Sequence, residues 1–191
     1  MKLKILITAC VLFFTIATLQ AASLKGVVEG GKKLKKSRAV VYLTGTFNTT
    51  IKNQKQPILD QHNMAFKPHV LPVSIGTTVA FLNSDEVRHN VYSPDLEKYN
   101  LGSWPKGETK AYQFKQKGVY TQLCNVHPEM ESFIIVLDTP YFVLAGKRGN
   151  FEIKNIPPGD YTVRVWHEKL RFKKQKITIG KADLKIFFNR K

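Results

Sequence analysis

Cysteine is nearly absent from this chain: its 191 residues include two, Cys10 and Cys124. Cys10 lies inside an apolar stretch near the start, so a chain trimmed of that stretch keeps Cys124 alone, and no intramolecular disulfide can brace its fold. Acidic residues are also scarce, 14 Asp and Glu against 30 Lys and Arg, which leaves a formal charge of +16. The one long apolar stretch, residues 5–19, falls short of the roughly 20 residues a membrane-spanning helix needs. No long segment carries a helical period, which argues against a helical fold. The histidines at 62, 69, 89, 127 and 167 include no pair separated by a single residue. Ser-His-Asp, phosphate-loop and zinc-protease motifs are absent, so those catalytic classes have no footing in the sequence.

What is present points to an exported β protein. Lys2 and Lys4, the uncharged stretch and the small residues Ala21 and Ala22 form the pattern of a secretory signal over residues 1–22, cleaved near Ala21-Ala22. Ile7-Thr8-Ala9-Cys10 has a faint likeness to a lipoprotein-processing site, but the apolar stretch runs on past Cys10, which is therefore read as part of the signal. A periplasmic location follows as the expectation. An unpaired Cys124 in an oxidising compartment is open to oxidation unless something occupies it, and a metal ion is the natural occupant. Hydrophobic residues at 43% and aromatics at 11% rule against disorder. The basic residues cluster at Lys32, Lys33, Lys35 and Lys36, and again at Lys169, Arg171, Lys173, Lys174 and Lys176. For an exported protein such a field suits an acidic protein surface or a membrane or envelope surface better than nucleic acid; a merely solubilising surface is the plainer alternative.

Strands are expected at residues 24–28, 39–43, 64–73, 78–82, 109–114, 118–123 and 132–136, with a polar loop over 44–56 and a new pattern from Ile58. The tail runs strand, Pro157-Pro158-Gly159 turn, strand, with Tyr161, Val163 and Val165 alternating with Thr162 and Arg164. Two further strands are expected near 177–179 and 184–188. The tail resembles the prealbumin-like sandwich module of the carboxypeptidase-regulatory type, whose opening strands have counterparts at Gly26-Val27-Val28 and Ala39-Val40-Val41-Tyr42-Leu43. The fold class expected is therefore all-β, with a small prealbumin-like sandwich formed by residues 23–46 and 140–191 and a second sandwich, residues 47–139, inserted in or adjacent to it.

The most informative string is Cys124-Asn125-Val126-His127-Pro128-Glu129-Met130, which sets a thiolate, an imidazole and a thioether within seven residues. A second imidazole is available at His89, in Asn83-Ser84-Asp85-Glu86-Val87-Arg88-His89-Asn90-Val91. Soft thiolate and thioether donors with imidazole nitrogens suit copper, whereas two His, one Cys and a fourth ligand also allow tetrahedral zinc. Glu129 and Glu131 are carboxylates that stand beside the thioether as alternative donors. Spacing alone establishes that a metal site is possible.

The two strings resemble the cupredoxin, or blue-copper, family and are similar to its amicyanin and plastocyanin members, over about residues 58–138. The resemblance implies a Greek-key β-sandwich with one type 1 copper ion held by His89, Cys124 and His127, and by Met130 as weak axial ligand. It also implies that Asn83 braces the ligand loop and that the backbone N–H of Asn90 donates to the Cys124 sulfur. His127 is then the partly exposed edge through which electrons leave, toward a redox partner protein with an acidic surface. The implied function is one-electron transport, not enzymatic turnover. Copper handling without redox turnover, involving His62, Met64 and His69, and an envelope interaction module are the alternatives. The combined layout resembles that of methylamine-utilisation-type proteins, and His167 beside Trp166 has no role assigned by these patterns.

Overall fold

The computed structural model describes residues 22–47 and 55–191. The export signal expected over residues 1–22, with Cys10, lies outside them except for Ala22, as do residues 48–54 of the polar stretch. The described residues begin with β1 (Ala22–Val28), a single helical turn α1 (Lys32–Lys36) and β2 (Val40–Thr44). Then follow β3 (Ile58–Gln61), β4 (Phe66–Lys67), β5 (Val70–Ser74), β6 (Thr78–Asn83), β7 (His89–Ser93) and β8 (Tyr99–Trp104). Next come β9 (Thr109–Gln113), β10 (Gly118–Leu123) and β11 (Glu131–Leu137). The last five strands are β12 (Phe142–Leu144), β13 (Asn150–Ile156), β14 (Gly159–Trp166), β15 (Gln175–Ile179) and β16 (Leu184–Phe188). Among the described residues the fold is all-β apart from that turn of helix.

Strands from the two ends of the described chain share sheets. They form β13-β1-β16 and β12-β2-β14-β15, whereas the strands between them form β5-β11-β10-β7-β8 and β4-β3-β6-β9. Neighbours such as β5 and β11, or β7 and β10, are distant in sequence, the crossing connectivity of a Greek-key sandwich.

Three apolar clusters explain the residue patterns. Val41, Leu43, Val163 and Tyr161 face the core of the first pair of sheets, with Leu24, Ile153 and Phe188 opposite. Phe81, Val91, Trp104, Tyr120, Ile134 and Val136 fill the core of the second pair. A third cluster joins the two: Val40 and, half-buried, Tyr42, Phe142 and Trp166 on one side meet Val70, Phe133, Ile135 and Leu137 on the other. Side chains alternate between faces along a strand, so β2 and β11 each bury one row in their own core and the other at the junction. That is why both read as unbroken apolar runs instead of alternating with polar residues. Burying one such side chain is worth about 1.5–3 kcal/mol, so the junction is held mainly by apolar packing. It is pinned further by the Phe133 and Trp166 rings, whose centroids lie 5.4 Å apart.

Candidate metal centre

The second pair of sheets brings the two motif strings together at one end. β6 ends at Asn83, residues 84–88 loop over the end of the sandwich, and His89 opens β7. β10 pairs with β7 through Leu123 and Tyr92, which sets Cys124, the next residue after β10, beside the start of β7. The seven-residue loop from Cys124 to Met130 then turns into β11, closed by the Met130 N–H donating to the His127 carbonyl at 3.0 Å.

His89, Cys124 and His127 each point one donor atom inward, and the three atoms lie within 4.8 Å of one another. His89 Nδ1 is 3.0 Å from His127 Nδ1 and 4.0 Å from Cys124 Sγ. Both imidazoles therefore face the centre through Nδ1. His89 is 0% exposed, Cys124 2% and Met130 1%, whereas His127 is half-buried and its neighbour Val126 is 54% exposed. The chemistry of the donors fits copper: a buried cysteine sulfur and two imidazole nitrogens, with a buried thioether in the same loop, suit a soft monovalent ion and still hold the divalent one.

The outer nitrogen of His89 is also fixed. Its Nε2 hydrogen-bonds Asp85 Oδ2 at 2.9 Å. The same carboxylate accepts the N–H groups of Asn63, at 2.6 Å, and Met64, at 3.0 Å. Burial pushes the Asp85 carboxyl up, but the hydrogen bonds from Met64, His89 and Asn63 outweigh it and hold the group below its usual range. A carboxylate on the far nitrogen of a ligating imidazole sets the tautomer and the ring orientation. The residue types alone did not single out Asp85; its position four before His89, on a loop leading into a ligand, is the one hint in the sequence.

The two asparagines act on neighbouring segments. Asn83 Nδ2 donates to the carbonyls of Val87 and Trp104, both at 2.9 Å, and Asn83 Oδ1 accepts the Asp85 N–H at 3.0 Å. It thus braces the loop ahead of His89. The Cys124–Met130 loop is tied instead by the Asn90 side chain, whose Oδ1 accepts the Asn125 N–H at 3.3 Å and whose Nδ2 donates to Asn100 and Gly102.

The remaining histidines are accounted for by other contacts. His69 Nδ1 lies 3.1 Å from the Glu131 carbonyl and its Nε2 lies 3.5 Å from Glu168, so both ring nitrogens have partners other than His62 and Met64. Those two residues lie on the exposed turn between β3 and β4. His167 is buried at the end of β14, where its Nε2 donates to the Ser37 carbonyl at 2.9 Å and its Nδ1 accepts the N–H groups of Lys169 and Leu170.

Fold and site together define a copper-binding β-sandwich unit packed against a second β-sandwich. Residues 54–137, somewhat under half of the chain, match the family described as copper binding proteins, plastocyanin/azurin family. With the His89, Cys124 and His127 grouping, this supports a blue copper protein with one type 1 copper ion as cofactor. Among solved structures the chain is similar to an oxidised amicyanin variant, at 26% identity over 43% of this chain and 82% of that one, with a TM-score of 0.40. It is also similar to a purple cupredoxin from Nitrosopumilus maritimus, at 24% identity over 43% of this chain and 100% of that one, with a TM-score of 0.40. A copper-containing nitrite reductase from Thermus scotoductus SA-01 is 21% identical over 60% of this chain and 28% of that one, with a TM-score of 0.43. Among the described residues no helix is long and apolar enough to cross a membrane.

Proposed function

We propose that the protein is an exported, periplasmic one-electron carrier in which His89, Cys124 and His127 ligate copper and Met130 is the weak axial ligand. The observation that carries this reading is the convergence of one buried cysteine Sγ and two imidazole Nδ1 atoms within 4.8 Å. When bound, copper supplies a one-electron couple between its Cu(I) and Cu(II) states. The chain's own residues keep the donors in place. Asp85 fixes the His89 ring, Asn83 fixes the loop ahead of it, and the Asn90 side chain fixes the start of the Cys124–Met130 loop. The backbone N–H of Asn90 is the group assigned to the Cys124 sulfur. Donors held this firmly need little rearrangement between two charge states, which favours fast transfer over chemistry on a substrate. His127 is the donor whose ring reaches solvent, flanked by exposed Val126 and Pro128, and it forms the contact edge for a redox partner protein, one with an acidic surface.

On this reading residues 47–139 are a copper unit set into a prealbumin-like sandwich of residues 23–46 and 140–191. The pairing of β1 with β13 and β16, and of β2 with β12 and β14, supports that division. The experiment is voltammetry of the copper-loaded protein. A reversible one-electron wave with fast heterogeneous transfer is expected. Copper that is lost to a mild chelator and gives no reversible wave would replace electron transport with copper handling.

A further inference from the structure

The positive charge is carried almost wholly by one of the two sandwiches. Residues 22–47 and 140–191 contain 19 Lys and Arg against 5 Asp and Glu, a formal +14, whereas residues 55–139 contain 8 against 9, a formal −1. The copper unit is close to neutral, so the excess that the sequence shows is a property of the sandwich packed beside it.

Within that sandwich, hydrogen bonds gather the charge at one end. α1 places Lys32, Lys33, Lys35 and Lys36 in solvent around the single buried Leu34, and among the described residues no carboxylate pairs with these four lysines. His167 ties the Ser37 carbonyl, just past α1, to the segment carrying exposed Lys169. The Val28 N–H donates to the Gly149 carbonyl at 2.9 Å, which sets the turn bearing Lys147 and Arg148 beside the start of α1. The Lys191 N–H donates to the Arg171 carbonyl at 3.0 Å and brings the chain end, with Arg190, to the same place.

This basic end lies on the same side of the molecule as the copper edge. Glu168, the residue before Lys169, reaches His69 Nε2 at 3.5 Å. His69 in turn holds the carbonyl of Glu131, the residue that follows Met130. Two residues before Glu168, the Trp166 ring packs on the Phe133 ring and fixes the same alignment. The field is therefore held beside the loop that exposes Val126 and His127.

We infer that the second sandwich is an electrostatic docking arm: its basic end binds an acidic electron-transfer protein and sets that partner against the His127 edge of the near-neutral copper unit. The inference rests on the electron-carrier reading. An acidic protein is favoured over an anionic lipid surface because the exposed copper edge lies on the same side, where a bilayer pressed against the basic end would cover it. Opposed fields of this kind raise association rates by factors of ten to a thousand.

The test uses an acidic c-type cytochrome as the probe, with the copper-loaded protein as wild type and as the combined Lys32→Gln, Lys33→Gln, Lys35→Gln, Lys36→Gln, Lys169→Gln and Lys173→Gln variant. Binding is followed by calorimetry and electron transfer by stopped-flow absorbance, between about 10 and 200 mM salt, where the screening length shrinks from about 30 to under 10 Å. The expected result is binding and transfer that weaken steeply with salt in the wild type. The variant should lose on the order of tenfold in low-salt rate, with its rate of reduction by uncharged hydroquinone unchanged. A Lys110→Gln, Lys115→Gln variant of the copper unit, read in parallel, should behave as wild type. Equal rates and salt dependence in the six-site variant and wild type would overturn the docking arm and leave the carrier reading intact. Phosphatidylglycerol vesicles that capture the wild type and block its reaction with the cytochrome would overturn it in favour of a lipid-binding face. Salt-sensitive binding lost in the variant, without any electron transfer, would support the docking surface and sink the carrier reading.

Discussion

Replacing Asp85 by Ala should weaken copper binding by about 10- to 100-fold without dismantling the fold. The Asp85 carboxylate accepts three hydrogen bonds, from His89 Nε2 and from the N–H groups of Asn63 and Met64. The two turn amides sit on exposed residues and can turn to water when the carboxylate is gone. His89 is 0% exposed and has no such recourse. A hydrogen bond to a charged group contributes about 1.5–3 kcal/mol, and each 1.4 kcal/mol is about a tenfold change in affinity. Losing the His89 bond therefore maps onto the 10- to 100-fold range that partners of metal-bound histidines typically show. The assay is competition for Cu(I) and Cu(II) against chelators of known affinity, with thermal unfolding of the copper-free protein measured in parallel. Asp85→Asn, which keeps the shape and one acceptor oxygen, should fall between wild type and Asp85→Ala. If Asp85→Ala bound copper within about twofold of wild type while unfolding at a lower temperature, the carboxylate would be a brace for the β3–β4 turn alone, and the reasoning would fail.

Three further outcomes follow from the buried groups. Burial pushes the Glu97 carboxyl up, but hydrogen bonds from the Tyr120 hydroxyl and the Lys115 and Gln116 N–H groups outweigh it and hold the group below its ordinary 4.5. A carboxyl lowered in the folded state stabilises fully above its unfolded value and loses that contribution as pH falls through the folded one. Unfolding temperature should thus drop below about pH 4.5 and drop less in Glu97→Gln; parallel acid limbs would refute the assignment. Burial likewise holds the His167 imidazole below its ordinary 6.5, so the neutral ring's contribution is complete above that pH and declines as the solution is acidified. His167→Ala, which strands the Ser37 carbonyl, should cost about 2–3 kcal/mol, on the order of 5–10 °C in unfolding temperature, and should flatten the pH dependence below 6.5. Met130→Ala removes a side chain 1% exposed from the core under the ligand loop; a loss of about 2–5 kcal/mol in the copper-free protein is expected from calorimetry, together with an altered visible spectrum of the copper form.

The His89, Cys124 and His127 grouping was legible because it depends on residue type and local spacing: Cys124 and His127 share one seven-residue loop with Met130, and His89 follows a strand whose apolar residues are easily read. β2 and β11 were legible for the same reason, being continuous apolar runs. β8 was not, because Asn100, Gly102 and Ser103 interrupt it and Gly102 takes a φ of 74°, which reads as a turn. The three residues of β12 are too few to show a period, and α1 has only Leu34 to mark a buried side among four lysines. Asp85 could not be assigned because its role needs the β3–β4 turn to be placed against it in space. The same holds for the His69–Glu168 contact, which joins residues far apart in sequence and makes one surface of the copper edge and the basic end. The charge total and the two basic clusters were visible in the sequence, whereas their gathering at one end, beside the copper edge, needed the contacts in space.

The most direct test of the central claim is the visible absorption spectrum of the purified protein after addition of Cu(II), beside that of Cys124→Ala. An intense blue or green thiolate-to-copper band, bleached reversibly by reductant and absent from the variant, is the predicted result. Folded protein with a reduced Cys124 thiol that takes up Cu(II) without such a band, or shows the same spectrum as the variant, would contradict it.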